Sequence, residues 1–390
     1  MPATYGEKEH LVSKSEAFEH ATISVLQTAR SELPGIQPWT RGAIAKAPTV
    51  IHDINGTPLF YDYEVKEGRA TLGTIRTAAS KILGDPDVAY ELGARSWNFK
   101  AIAEKLLPKV QRANRGATVG KPLLVCYGYP KLGVMFPITG PRGKSRVIFD
   151  FSGVQVPEGD PAKGIEGAFA WSFYDSLKTN TRKAGLARYE TIDTFRASLS
   201  PAVRQQITTV KAVSMLERRI APWQLTKNVT RELAFCTHYL ATHARGHHCF
   251  ALHGQQQWDY CAVATAQMIL DYYRYHYTQA TIAPALGYAP GGCPSDQSPG
   301  YESLSHGHLE ATFDGSPTWA KAKARIDAGE PFKTGIPGHA RACAGYSYTQ
   351  SILVPIGGSG VTNRRLMIYD PSPWNADDTV GGSVSWESWD

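Results

Sequence analysis

The sequence lacks several patterns that mark common classes of protein. Its six cysteines include no Cys-x-x-Cys pair and are too few among 390 residues for a disulfide scaffold, so neither a zinc site nor a thioredoxin-type redox centre is indicated. The formal net charge is +6, but no run of five or more basic residues forms a clustered basic patch. We therefore expect no nucleic-acid partner, no cofactor and no metal.

Long apolar stretches are missing as well. No run of eighteen apolar residues is present, so we expect no membrane partner. The first twenty residues lack the apolar core of a signal peptide, which predicts a cytoplasmic protein with reduced cysteines. With 42% hydrophobic and 19% charged residues, the composition is typical of a globular protein that buries a sizeable core. Nothing in the sequence indicates its oligomeric state.

Length and local patterns predict two domains joined by a linker. In the first half, two apolar runs flank Asn55-Gly56 as in a β-hairpin, and a helical recurrence spans 97–111. The stretch from Gly153 to Gly167 is rich in glycine, proline and charge, which is typical of a linker that a peptidase can cut. The expected boundaries are an N-terminal helix at 1–40, a small α+β domain of antiparallel sheet and one helix at 41–156, a linker at 157–180 and a second domain at 181–390.

The most informative segment joins a polar loop to an apolar helix at Cys261. After this residue, apolar side chains recur at intervals of three and four, which places Cys261 at a helix N-terminus. There the helix dipole and unpaired backbone N–H groups stabilise a thiolate, the nucleophilic form of cysteine. The same groups hold an oxyanion if the preceding loop supplies one further donor. Gln255 is well placed for this, with Gln256 and Gln257 as alternatives.

A cysteine nucleophile needs a base, and the base needs a partner that holds its tautomer. His339 opens a strand-like stretch after a Pro-Gly break, and Asp370 ends the strand-like run RRLMIYD. If these strands are neighbours, Asp370 presents its carboxylate to the imidazole of His339. Asn375 is an alternative partner, because Asp370 also fits the role of a turn residue before Pro371.

The other cysteines and histidines fit ordinary structural roles. Cys343 falls on a strand of small residues and is expected in the core, and Cys293 is expected to be an ordinary loop cysteine. His306 and His308 are spaced as Ser-His-Gly-His, but no third ligand follows at a natural interval. A metal site at these histidines is therefore not predicted.

Together these motifs resemble the papain superfamily of cysteine peptidases, in particular its bacteriocin-processing, double-glycine-peptidase-like branch. The resemblance rests on Gln255 six positions before Cys261, the CAVATAQMIL helix, the HARACAGY segment and the YDP turn. It implies Cys261 as nucleophile, His339 as base, Asp370 as orienting partner and Gln255 as oxyanion donor. It also implies an α+β fold in which residues 181–390 form a papain-like domain, with a helix bundle against an antiparallel sheet.

The first half is more loosely similar to the prosegments of streptopain-like proteases. This similarity rests on the segments DINGTPLFYDYEV, GTIRTAASKILG and VAYELG. It implies a zymogen whose propeptide inhibits the peptidase or assists its folding. Autoprocessing would then remove the propeptide by a cut between Gly153 and Gly167.

The sequence thus predicts a cysteine protease, a hydrolase that cuts a protein or peptide substrate through an acyl-cysteine intermediate. Two alternatives stay open: an acyltransferase or cell-wall isopeptidase with the same triad, and an inactive papain-like binding module. The small residues that flank the cysteine of papain are absent, since Tyr260 and Ala262 flank Cys261, so we expect a cleft of different shape. The final residues WESWD have the pattern of a strand that is just beginning, which predicts that an edge of the catalytic sheet is missing.

Overall fold

The computed structural model describes residues 10–29, 33–141, 143–159, 165–166, 169–209, 226–232, 250–351 and 361–389. Cys236 and Cys249 lie outside these residues. The other four cysteines, at positions 126, 261, 293 and 343, are buried and carry free thiols. None of the described helices has the length and apolar character needed to cross a lipid bilayer.

Both halves of the described chain contain helices and strands. The α-helices are α1 (Lys14–Ala29), α2 (Phe99–Ala113), α3 (Phe173–Ser176), α4 (Thr179–Ser198), α5 (Pro201–Thr209), α6 (Cys261–Tyr272), α7 (Gln279–Ala285), α8 (Ser298–Leu304) and α9 (Trp319–Asp327), with 3₁₀ helices at Gln37–Arg41 and Lys81–Leu83. The strands of the first half are β1 (Ala43–Ile44), β2 (Thr49–Asp53), β3 (Pro58–Glu67), β4 (Ala70–Ala78), β5 (Asp87–Leu92), β6 (Thr118–Val119), β7 (Leu123–Gly128), β8 (Lys131–Gly140), β9 (Gly143–Asp150) and β10 (Gln155–Val156). Those that follow are β11 (Ile165–Glu166), β12 (Thr226–Glu232), β13 (Cys293–Pro294), β14 (Phe332–Ile336), β15 (His339–Ser351), β16 (Val361–Asp370) and β17 (Ser383–Ser388).

The β-hairpin predicted for the first half is present. β2 and β3 pair antiparallel, with Val50 opposite Tyr61. In the turn, Gly56 has a φ of +88°, a left-handed conformation that glycine adopts without steric cost. The Asn55 side chain accepts a hydrogen bond of 2.8 Å from the backbone N–H of Thr57, which closes the turn.

Helix α2 covers one face of the first-half sheet, as the sequence predicts. Its N-cap residue Asn98 accepts a hydrogen bond from the backbone N–H of Ala101. Leu106 and Val110 are buried in one cluster with Phe136 of β8 and other residues of the sheet. One strand pair departs from the expected antiparallel arrangement, because β2 and β7 run parallel.

The two halves of the chain share one sheet of fifteen strands, a feature that the sequence did not indicate. Its main path is β10-β9-β8-β7-β2-β3-β4-β5-β17-β16-β15-β12. The halves meet where β5 pairs antiparallel with β17, with Tyr90 opposite Trp386. The strand expected near the final residues is therefore β17, and it pairs on both sides, with β5 and with β16.

One hydrophobic core also spans both halves. From the first half it contains Trp39, Tyr63 and Tyr90, and from the second half Met268, Tyr369 and Trp386. Large aromatic side chains such as Trp39 and Trp386, both fully buried, contribute much of the apolar area removed from water. Separating the halves would expose this surface and leave strand edges unpaired.

Buried ion pairs reinforce the junction between the halves. Arg365 of β16 pairs with Asp87 at the start of β5. On the same sheet, Arg341 of β15 donates a hydrogen bond to Glu387 of β17 at 2.5 Å. Breaking a buried pair by removing one partner leaves an uncompensated charge, which typically costs about 3–5 kcal/mol. The Arg365–Asp87 pair therefore favours one fixed position of β5 against the second half, and the Arg341–Glu387 pair joins β15 to β17 within that half.

Candidate active site

Cys261 is the first residue of α6, as the apolar periodicity predicts. Every residue of the helix from Cys261 to Leu270 is buried, so this part of α6 lies in the core. The Cys261 side chain lies at the N-terminal end, where the helix dipole favours negative charge. The residue is only 2% exposed, so a substrate reaches the sulfur only after the covering groups move.

His339 and Asp370 are brought together by two neighbouring strands. β15 begins at His339 and pairs antiparallel with β16, which ends at Asp370. His339 Nε2 lies 2.8 Å from Asp370 Oδ1, and the same oxygen accepts a hydrogen bond of 2.8 Å from the backbone N–H of Ser372. A carboxylate accepts but does not donate hydrogen bonds, so this contact places the imidazole proton on Nε2. The other ring nitrogen, Nδ1, is left as the basic position.

The imidazole of His339 interacts with both Asp370 and Cys261. Burial by itself lowers the pKa of His339, but the charge of Asp370, its hydrogen bond and the interaction with Cys261 outweigh burial and raise the pKa. Within the described chain, Nδ1 has no other hydrogen-bond partner. Burial raises the pKa of Asp370, but the charge of His339 and the hydrogen bond to it lower the pKa overall. The arrangement therefore favours a charged imidazolium next to a carboxylate.

Gln255 lies in the buried loop before α6. Its Nε2 donates hydrogen bonds to the backbone carbonyls of Gln257 at 2.8 Å and Trp258 at 2.9 Å. Within the described part of the protein, Oε1 of the same amide is buried without a hydrogen-bond partner. Both N–H groups of the Gln255 amide therefore already donate hydrogen bonds. To stabilise an oxyanion, the amide must break one of these two bonds and donate to the oxyanion instead.

We expect Gln255→Ala to lower kcat for peptide hydrolysis about 100-fold, because loss of one oxyanion donor typically has an effect of this size. Steady-state kinetics on a fluorogenic peptide measure the change. The matched control is Gln257→Ala, since Gln257 is exposed and contributes only its backbone carbonyl to the Gln255 amide. A large loss of kcat in Gln257→Ala, with normal activity in Gln255→Ala, would show that Gln257 is the oxyanion donor.

Backbone hydrogen bonds join the Gln255 loop to the loop that follows Asp370. The N–H of Gln255 donates to Pro371 O at 2.9 Å, and the N–H of Asn375 donates to Gln255 O at 2.9 Å. Gly254 lies so close to Gly381 that a Cβ on Gly254 would meet the Gly381 Cα at 2.5 Å. Any larger residue at Gly254 would push these loops apart. Asn375, the alternative partner for His339, is exposed and contacts the Gln255 loop instead.

A buried histidine that sequence reasoning missed connects the same loops to α6. His253 Nε2 lies 2.5 Å from Asp271 Oδ2 at the far end of α6, and Nδ1 lies 3.5 Å from Asp378 Oδ2. Burial lowers the pKa of His253, but hydrogen bonds to the two carboxylates outweigh burial and raise it. The contribution of this group to stability is therefore complete below the unfolded pKa, near 6.5, and is lost as pH rises through the higher folded pKa.

Asp259, two positions before Cys261, has a structural role. Its Oδ2 accepts hydrogen bonds of 2.8 Å from the Tyr288 hydroxyl and from the backbone N–H of Gly291. The start of α6 is thereby joined to the loop that leads into β13. No local sequence signal reveals this contact, because its partners lie about thirty positions further along the chain.

Cys343, His306 and His308 belong to other parts of the fold than Cys261, whereas Cys293 packs in the same cluster. Cys343 is fully buried in a cluster with Ile326 and Ile368, and Cys293 is buried in the cluster that also contains Cys261. His306 and His308 each contact a tyrosine hydroxyl, those of Tyr277 and Tyr275 respectively. The expected core position of Cys343 is confirmed, whereas Cys293 is more buried than an ordinary loop cysteine.

One group of metal-ligand-type side chains occurs in the described residues, far from Cys261 in sequence. Glu16, His20 and Asp193 place their ligand atoms within 4.8 Å of one another. Arg196 forms ion pairs with Asp193 at 2.5 Å and with Glu16 at 3.5 Å. This guanidinium already supplies the positive charge that the acidic groups require, so the cluster is best described as an ion-pair network joining α1 and α4.

Comparison with known families supports the resemblance. Residues 224–381, less than half of the chain, match the model of the Peptidase_C39 like family. No curated protein and no solved structure matches the chain. The matched segment contains Gln255, Cys261, His339 and Asp370. This part of the chain is therefore similar to the Peptidase_C39-like family, which supports a domain of the cysteine-peptidase type.

Proposed function

We propose that this protein hydrolyses peptide bonds through an acyl-cysteine intermediate formed on Cys261. The observation that supports this proposal most strongly is that Cys261, His339 and Asp370 are all buried and that His339 interacts with both of the others. They lie at a helix start, a strand start and a strand end, and their chemistry suits the roles of nucleophile, base and orienting carboxylate. The substrate class is a protein or peptide, in line with the peptidase family that the chain resembles.

In the proposed reaction, His339 Nδ1 takes the proton of the Cys261 thiol, and the thiolate attacks the carbonyl carbon of the scissile bond. The resulting oxyanion is held by donors at the start of α6 and by Gln255. When the C–N bond breaks, the imidazolium returns its proton to the leaving amine. A water molecule, activated by the same imidazole, then hydrolyses the thioester and regenerates the free thiol.

Selective alkylation tests whether Cys261 is a nucleophile. At pH 7 we expect iodoacetamide to label Cys261 at least about 100-fold faster than Cys126 or Cys343, as measured by mass spectrometry of peptides. The three cysteines are similarly buried, at 2%, 1% and 0% exposure, so access alone does not separate them. Burial raises the pKa of Cys126 and of Cys343 to about 12, which leaves both protonated at pH 7.

His339→Ala is the control for this measurement. The variant should lose most of the selectivity for Cys261, because the imidazolium that stabilises its thiolate is absent. Equal, slow labelling of Cys261 and Cys343 in the unmodified protein would reject the peptidase proposal and support an inactive module. Addition of an amine nucleophile during turnover separates hydrolysis from acyl transfer, since a transferase would yield the amide product.

We further propose that the chain cuts itself in the segment between its halves. In support, β11 of this segment pairs antiparallel with β13, with Glu166 opposite Cys293. Cys293 belongs to the same buried cluster as Tyr260 and Cys261. An extended segment that adds a strand to an exposed edge is a common way for a peptide to bind a protein. This pairing supports Ile165–Glu166 as the segment that approaches the start of α6 in self-cleavage.

A further inference from the structure

We propose that Lys131, from the first half of the chain, is a positioning residue of the active site that compensates the negative charge of Cys261 and Asp370. This inference rests on the proposed peptidase function and deepens it. It assigns a part of the catalytic arrangement to a region outside the segment that matches the family model, since the match begins at residue 224.

Lys131 is placed beside the site by the sheet. It is the first residue of β8, and only 4% of it is exposed. Its Nζ donates a hydrogen bond of 2.6 Å to the carbonyl of Gly338, the residue immediately before His339. Gly338 has a φ of +72°, so the turn that presents His339 uses a conformation that suits glycine, and Lys131 holds its carbonyl.

Lys131 and Asp370 also line the same cleft between the halves. Its lining includes Pro130 and Lys131 from the first half, together with Asp370 and Ser372 from the second. The Lys131 ammonium also lies 5.9 Å from the centre of the Tyr127 ring. The buried ammonium therefore binds the turn before His339 and lies near the Tyr127 ring, and Lys131 lines the same cleft as Asp370.

Several titratable groups act on Lys131 from the elements packed around it. Burial lowers the pKa of Lys131, and the negative charges of nearby groups oppose this effect. Those groups are Cys261 of α6, Asp370 of β16, Cys126 of β7 and Asp150 of β9. Burial remains the larger effect, so the pKa of Lys131 is lowered overall, and Cys261 and Asp370 are among the electrostatic partners of the ammonium.

The charge balance of the site explains why a lysine is needed. With Cys261 as thiolate, His339 as imidazolium and Asp370 as carboxylate, the three catalytic groups carry one net negative charge. An uncompensated charge in a buried site is unfavourable. Lys131 adds a positive charge beside these groups, as Arg341 does for Asp370, and so favours the ionised, reactive state of Cys261 over the neutral thiol.

With Lys131 in the site, the first half has a role other than that of a released propeptide. After a cut between Gly153 and Gly167, Lys131 and the triad would lie on different chains. These chains stay joined by the pairing of β5 with β17 and by the shared core. The first half then remains with the mature enzyme as part of its active site, instead of leaving it as a released propeptide.

The test measures the pH dependence of Cys261 alkylation in the full chain and in Lys131→Met. We expect the midpoint of the alkylation profile to move to higher pH by about one unit or more, because a positive charge near the thiolate is lost. The value of kcat/KM at pH 7 should fall about tenfold for a shift of this size. Lys131→Arg keeps the charge and should restore most of the midpoint.

Lys144→Met is the matched control, since Lys144 is exposed on β9 of the same half. A purely structural role for Lys131 would reduce the yield of folded protein but leave the midpoint of the folded fraction unchanged, and that result would overturn the inference. An unreactive Cys261 in the unmodified chain would instead reject the proposed function. If Lys131→Met is too unstable to purify, Lys131→Arg is compared with a second neutral variant, Lys131→Gln. An alkylation midpoint that shifts equally in both variants would also overturn the inference, because the positive charge would then have no effect.

Discussion

Replacing Cys261 with alanine is expected to abolish peptide hydrolysis, with kcat reduced by about 10⁴-fold or more. The reaction proposed above forms a covalent bond to the sulfur, and alanine leaves no group that can attack the carbonyl carbon. The neighbouring donors would still bind substrate, so KM should change little. Progress curves on a fluorogenic peptide, followed until the detection limit, measure the loss.

The same variant tests self-processing. In the unmodified chain we expect a new N-terminus between Gly153 and Gly167, detected by mass spectrometry after incubation, and in Cys261→Ala we expect none. Cys343→Ala is a suitable control, because Cys343 is a buried cysteine that packs in a different cluster from Cys261. Purified Cys261→Ala protein that still cleaved peptides would end the peptidase interpretation.

Asp370→Asn should lower kcat by about 10³–10⁴-fold while leaving the fold intact. The carboxylate holds the imidazole proton on Nε2, 2.8 Å away, and so keeps Nδ1 free to accept the thiol proton. An asparagine amide can donate to Nε2 instead. The imidazole would then carry its proton on Nδ1, the position that must be empty for the first step.

The pH profile gives Asp370→Asn a second readout. Burial lowers the pKa of His339, and the charge of Asp370 is the largest of the effects that raise it. Without this charge, the pKa of His339 falls, and the imidazolium that protonates the leaving amine is populated only at lower pH. We therefore expect the alkaline limb of kcat/KM to move to lower pH by about one unit or more.

Asn375→Ala is the control for Asp370→Asn. Asn375 was the alternative partner in the sequence, and its side chain is exposed while its backbone N–H contacts Gln255. Near-normal activity is expected in Asn375→Ala. If this variant instead lost activity and Asp370→Asn kept it, the orienting role would belong to Asn375.

The local features of the fold were accessible from the sequence because they depend on neighbours in the chain. The Asn55-Gly56 hairpin and the start of α6 at Cys261 follow from turn chemistry and helical periodicity. The strands that begin at His339 and end at Asp370 follow from runs of strand-forming residues between breakers. The proposed triad needed only the further assumption that those two strands are neighbours.

The contacts that complete the site were not accessible in this way. Lys131 and Gly338 are separated by 207 positions, and nothing near either residue indicates the other. His253 meets Asp271 and Asp378 only in the folded chain. The pairing of β5 with β17 was not predicted because nothing in the sequence of a strand identifies a distant pairing partner.

By itself, the sequence determined which residues we propose for the chemistry, since residue type, helix periodicity and strand runs depend on interactions a few positions apart. Only the tertiary structure decided that the two halves share one sheet and one core, and that an ammonium from the first half binds the turn that carries His339. The physical reason is that strand pairing and the compensation of buried charge join residues that are distant in the chain. Such partners are selected by the packing of the whole molecule.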